Sequence, residues 1–84
     1  MSRPKKFKIV ESDLKKDRDD GQLYHVGARK FKIVIDKNHR SERERLDTLV
    51  HECLHIGDLR ATERKIRHMA GIITEALWRQ GYRR

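Results

Sequence analysis

Cysteine is nearly missing from this chain: Cys53 is the single one in 84 residues. A lone thiol has no intramolecular partner, so an internal disulfide is excluded, and the composition suits a reducing compartment such as the cytoplasm. Long apolar runs are missing too. No stretch reaches the roughly 18–20 apolar residues that a membrane-spanning helix needs, so no membrane partner is expected. The opening MSRPKKFKIV is basic but carries no apolar h-region and no small-residue cleavage site, and does not read as a signal peptide. Asp17, Asp19 and Asp20 cluster without EF-hand spacing or a closing Glu, which excludes that calcium loop and leaves a solvated turn. A chain this short makes one domain, residues 1–84, with a marginal core. A bound metal would then add stability as well as chemistry.

Positive charge, by contrast, is abundant. The formal net charge is +8, and 40% of residues are charged. That balance favours an acidic partner, nucleic acid first. The basic residues fall in two places: a tail over 1–6, expected to fray, and the run Arg60, Arg64, Lys65, Arg67, Arg79, Arg83 and Arg84.

The pattern along the chain predicts an α+β fold, with a small antiparallel or mixed sheet of two to three strands packed on two C-terminal helices. Phe7–Val10 alternates as a strand, and residues 12–22 form a loop turning at Asp20-Gly21. Residues 24–36 read as two strand pieces hinged near Gly27, with Phe31, Ile33 and Ile35 on one face. Ser41-Glu42-Arg43-Glu44 is a capping box opening a helix that runs to about Ile56, with Gly57 suited to the left-handed position behind it. Thr62 caps a second helix running to about Gln80 and stopping at Gly81. Gly71 lies inside that helix, where a close helix crossing would account for it.

The stretch His51-Glu52-Cys53-Leu54-His55 spells H-E-x-x-H. Its helix carries an apolar stripe of Leu46, Leu49, Val50, Cys53 and Leu54. At about 100° per residue, His51 and His55 fall opposite the centre of that stripe, one turn apart, where both rings can meet one ion. Two solvated surface histidines would be spelled the same way. Glu52 lies beside them and can reach a water held there. A zinc site also needs a third ligand, and Asp58, Glu63, His68 and Glu75 are the downstream candidates. The second helix has its stripe at Ile66, Met69, Ala70, Ile73 and Leu77. Packing on that stripe delivers Glu63 toward the histidines and points His68 and Glu75 to solvent. Asp58 remains an alternative ligand, or a partner for the outer nitrogen of a ligand histidine. Cys53 reads as a small buried thiol and Trp78 as a core anchor. Tyr24, His25 and His39 are conceivable donors to a developing oxyanion, with nothing in the sequence to place them.

An N-terminal sheet, a helix with HExxH and a downstream helix supplying Glu resemble the gluzincin branch of zinc metallopeptidases in minimal form. DTLVHECLH, followed by a helix ending ALWRQGYR, resembles small uncharacterised HExxH proteins encoded by bacteriophages. The resemblance implies a zincin-like domain in which His51, His55 and Glu63 bind zinc and Glu52 is the general base. It implies a peptide or protein substrate, and a host-cytoplasm location for a phage-encoded chain. It also implies a strand beside the active helix that pairs with extended substrate, for which residues 31–36 are the candidate. Beside the peptidase stands a second expectation, a basic nucleic-acid-associated module whose zinc is structural or vestigial.

Overall fold

The computed structural model of the chain describes residues 5–14 and 21–83. Three strands come first, β1 (Lys6–Ser12), β2 (Gly21–Gly27) and β3 (Lys30–Asp36), then two helices, α1 (Glu42–Gly57) and α2 (Glu63–Arg79). The fold is α+β, with a mixed sheet in the order β1-β3-β2: β1 runs parallel to β3, and β2 antiparallel to it. The expected turn at Asp20, the aspartate cluster before it and the first four residues of the basic tail lie outside the described residues. Lys5 and Lys6 of that tail belong to the fold. Lys6 starts β1, and Lys5 Nζ donates to the Ile56 carbonyl at 2.6 Å.

The alternation in β3 sets the layers. Phe31, Ile33 and Ile35 face the helices, and all three are buried with Ile56 of α1. Leu23, Leu49 and Cys53 pack against this cluster. The hinge near Gly27 is a hairpin turn, in which Arg29 takes the left-handed backbone (φ 57°) and Gly27 ends the bulged strand β2. Ser41 caps α1 by accepting from the Glu44 amide at 3.1 Å. Gly57 is the last helical residue, and Asp58 takes the cap in an extended conformation. Thr62 caps α2 by accepting from the Lys65 amide, and Gly81 follows it with φ +82°.

Two of the expected stripes are rotated. In α1 the buried residues are Thr48, Glu52 and Ile56, while Leu46, Val50 and Leu54 are half-buried. The reason is that α1 is flanked twice. Leu49, Cys53 and Ile56 meet the sheet, and Arg43 and Asp47 meet Glu75 and Thr74 of α2. The apolar stripe spans the arc between these contacts instead of centring on one. In α2, Ile66 and Ala70 are buried as expected, but Thr74 is buried where Ile73 is exposed. Thr74 Oγ1 donates to Asp47 Oδ1 at 3.1 Å, a bond that lets a polar residue take the inner position. Trp78 is half-buried, with the Arg83 guanidinium 3.3 Å from its ring centroid.

Gly21 and Gly71 play opposite parts. A Cβ on Gly21 would stand 2.6 Å from Thr48 Cγ2, so β2 and α1 approach as closely as they do because this residue has no side chain. A Cβ on Gly71 would meet nothing within 4 Å, so no helix crossing accounts for that glycine. Gly21→Ala should therefore destabilise the domain by about 1–3 kcal/mol through overpacking. Gly71→Ala should stabilise it by about 0.5–1 kcal/mol, as alanine does in a helix interior. Denaturant unfolding of the two variants checks both signs, and a stabilised Gly21→Ala would contradict the packing described.

Candidate metal centre

The histidines reach the surface because α1 is covered on two sides and open on a third. At about 100° per residue, the sheet contacts and the α2 contacts leave two arcs; the half-buried apolar stripe takes one, and His51 and His55 occupy the other. Their rings meet edge-on, with centroids 4.8 Å apart and Nε2 atoms 3.1 Å apart. Opposite them stands Glu63, the first residue of α2. One carboxylate oxygen lies 2.6 Å from His51 Nε2 and the other 3.0 Å from His55 Nε2. Glu63 arrives there because Ile66, one turn on, is fully buried, and Ala70 and Thr74 continue the packed line. The partial positive charge of the helix start favours an ionised carboxylate at this position.

The donor set fits a cation. A tetrahedral zinc with ligands at about 2.0–2.1 Å sets neighbouring ligand atoms about 3.3 Å apart. Two of the separations, 3.0 and 3.1 Å, lie within a few tenths of an ångström of that value, and the third, 2.6 Å, is shorter, the two oxygens of Glu63 each facing one histidine. Hydrogen bonding alone accounts for them poorly. Each Nε2 carries at most one hydrogen, and if both donate to Glu63, two N–H groups abut. A cation meets all three acceptors at once. His51, His55 and Glu63 are the cluster of this kind found among the described residues.

The other candidates lie elsewhere. The Asp58 carboxylate accepts from the Arg60 amide at 3.2 Å and closes the loop between the helices. His68 is exposed on the outer side of α2. Glu75 bridges Arg43 of α1 and Arg79 of its own helix, and these two guanidinium groups, Arg43 first, hold its carboxyl below the ordinary carboxylate range. His25 stacks on Phe31 with centroids 4.7 Å apart, and His39 sits near Glu42 and the Asp36 carbonyl. Of the three conceivable oxyanion donors, Tyr24 alone borders the cleft, but its register with Lys32 puts its side chain on the sheet face turned away from the helices.

That cleft runs between α1, the start of α2 and β2. Gly21, Gln22, Leu23 and Tyr24 form its strand wall, and Glu52 lies beside His51 at its base. Glu52 is only 8% exposed and packs where Gly21 has no side chain, its Cγ 3.5 Å from the position a Cβ would take. Two further lining residues are Asp47, which the sequence reading does not single out, and Arg67, which it places only in the basic run. The signal was present, because Asp47 precedes His51 by one turn and Arg67 follows Glu63 by one turn. Arg67 Nε stands 3.6 Å from the Glu63 carboxylate.

Cys53 is not part of the cluster. Burial, with the Glu52 carboxylate adding to it, pushes its thiol above the ordinary value. Native protein at pH 8 should therefore react with iodoacetamide about tenfold more slowly than urea-unfolded protein, read by mass spectrometry; equal rates would show the thiol to be open and activated. Among the described residues, no helix is long and apolar enough to cross a membrane. The chain matches no family model, no curated protein and no solved structure.

Proposed function

We propose that this chain is a zinc-dependent metallopeptidase of minimal, gluzincin-like form. The observation that carries this reading is the convergence of two imidazole nitrogens and a carboxylate on one point, at the wall of a cleft holding a further acid. His51, His55 and Glu63 would hold the cation, which supplies Lewis acidity toward a water and toward the carbonyl oxygen of a peptide bond. Glu52 is the base. It takes the proton of the attacking water and returns it to the leaving nitrogen, which a carboxylate within one hydrogen bond of that water can do in both directions. Arg67 at the cleft wall is the donor available to meet negative charge on the substrate oxygen, since the register of Tyr24 with Lys32 puts its side chain on the other face of the sheet.

An extended peptide would bind along β2. Residues 31–36 cannot take that part, because β3 is paired on both edges, with β1 and with β2. β2 is an outer strand of the sheet, and it lines the cleft. A strand edge offers amide and carbonyl groups to an incoming backbone, which favours peptide as the substrate class.

Zinc at a hundred times its dissociation constant should stabilise the protein by about 2.7 kcal/mol. In a domain of this size that raises the melting temperature by roughly 10–20 °C. His51→Ala and Glu63→Ala should lose the shift and Asp58→Ala should keep it. No shift in the parent protein, or loss in Asp58→Ala alone, would overturn the ligand assignment. Glu52→Gln should keep the zinc-induced shift while cleavage of labelled casein falls by at least about a hundredfold. Cleavage at the parent rate would remove Glu52 from the chemistry.

A further inference from the structure

The face of the sheet turned away from the helices carries a feature that the cleft does not use. In the register of the sheet, Lys6 stands opposite Lys30 and Lys8 opposite Lys32. All four are on the face opposite Phe31 and Ile33, and Tyr24 extends the row on the far side, opposite Lys32. Lys6, Lys8, Lys30 and Tyr24 are exposed and Lys32 is half-buried. Among the described residues, none of the four lysines has a carboxylate ion-pair partner. Segment 15–20, outside the described residues, holds three basic and three acidic residues.

Like charges directly opposite one another destabilise a sheet. Lysine on an outer strand has an ordinary purpose, since it discourages edge-to-edge aggregation. That purpose covers Lys6 and Lys8 of β1. It does not cover Lys30 and Lys32, which sit on the central strand, where both edges are already paired. Four unneutralised ammonium groups at one end of this face, whose other end is covered at Val34, stand beside an exposed aromatic ring and are complementary to a phosphate backbone whose bases can stack.

We infer that the outer face of the sheet, through Lys6, Lys8, Lys30, Lys32 and Tyr24, is a docking surface for single-stranded nucleic acid. The lysines neutralise phosphates, and Tyr24 gives an unstacked base a platform, which a duplex does not offer. This surface replaces the α2 run as the place where the basic charge acts. Within that run, Arg67 and Arg79 lie beside Glu63 and Glu75. The inference does not depend on the metal centre.

The test is fluorescence anisotropy of a labelled 20-nucleotide single-stranded DNA with the full chain, with and without EDTA. Four phosphate contacts to a single strand give a log–log salt slope of about −2.8, so affinity should fall about fiftyfold between 50 and 200 mM salt. The variant with Lys6, Lys8, Lys30 and Lys32 all changed to Gln should bind at least tenfold more weakly at 50 mM and lose most of the slope. A charge-matched variant with Arg40, Arg60, Arg64 and Lys65 changed to Gln should stay within twofold of the parent. Lysine acetylation footprinting of the parent protein gives the same answer without any variant: the four sheet lysines should be protected by the oligonucleotide and Lys65 should not. Equal weakening in the two variants, protection of Lys65 instead of the sheet lysines, or no binding at 50 mM would overturn the surface. Loss of binding with EDTA would move the contact to the metal centre, and equal competition by duplex DNA would overturn the single-strand preference.

Discussion

Everything in this molecule hangs on α1 being held from two directions at once. The sheet grips it through Leu49, Cys53 and Ile56, and α2 grips it through Asp47 and Arg43. A helix has a circumference to fill, and two contacts leave two arcs, one taken by the half-buried apolar stripe and the other by the histidines. The flanking elements become the walls of the HExxH arc: β2 on one side, the start of α2 on the other. The cleft is thus the angle between two packing interfaces. Its depth on the strand side is set by Gly21, whose missing side chain lets Thr48 and Glu52 sit against the sheet. Glu52 is buried for the same reason that the cleft exists.

Bringing Glu63 to the histidines is a matter of phase along α2. Ile66, Ala70 and Thr74 form the packed line, and Glu63 lies on the continuation of that line at the first turn. The Thr74–Asp47 bond matters here beyond its own modest energy of about 1 kcal/mol. It fixes the rotation of α2 from the far end, as Ile66 does from the near end, so the first turn of the helix presents Glu63 toward the histidines.

The sequence made the elements legible, because the caps and the period of two in β3 are local signals. Ser41, Thr62 and Gly81 mark their helix ends, and Phe31, Ile33 and Ile35 mark the buried face. It also made the three converging residues legible, since helical phase alone puts His51 beside His55 and Glu63 on the packed side of α2. What it could not show is which strand lies in the middle. FKIV occurs in both β1 and β3, and nothing local says that β1 crosses to the far side of β3 to run parallel with it. The strand beside the cleft was misassigned to residues 31–36 for that reason. The rotated stripes have a related cause. Hydrophobic periodicity locates one burial direction per helix, whereas α1 has two, and a hydrogen-bonded threonine carries no apolar signal at all.

The strand order also separates the charges. The cleft is lined by the carboxylates of Asp47, Glu52 and Glu63 against one guanidinium, that of Arg67. The outer sheet face carries four lysines in register. A protein of net charge +8 thus keeps an acidic hollow on its helix side, because the parallel pairing of β1 with β3 stacks lysine on lysine away from the helices. A polyanion finds its complement on the sheet face and not among the carboxylates of the cleft. A backbone amide or a basic side chain meets the opposite preference. β2 borders both regions: Tyr24 lines the cleft and stands in register with Lys32. Two ligands of opposite character could therefore occupy the two faces together, meeting only at the edge of β2.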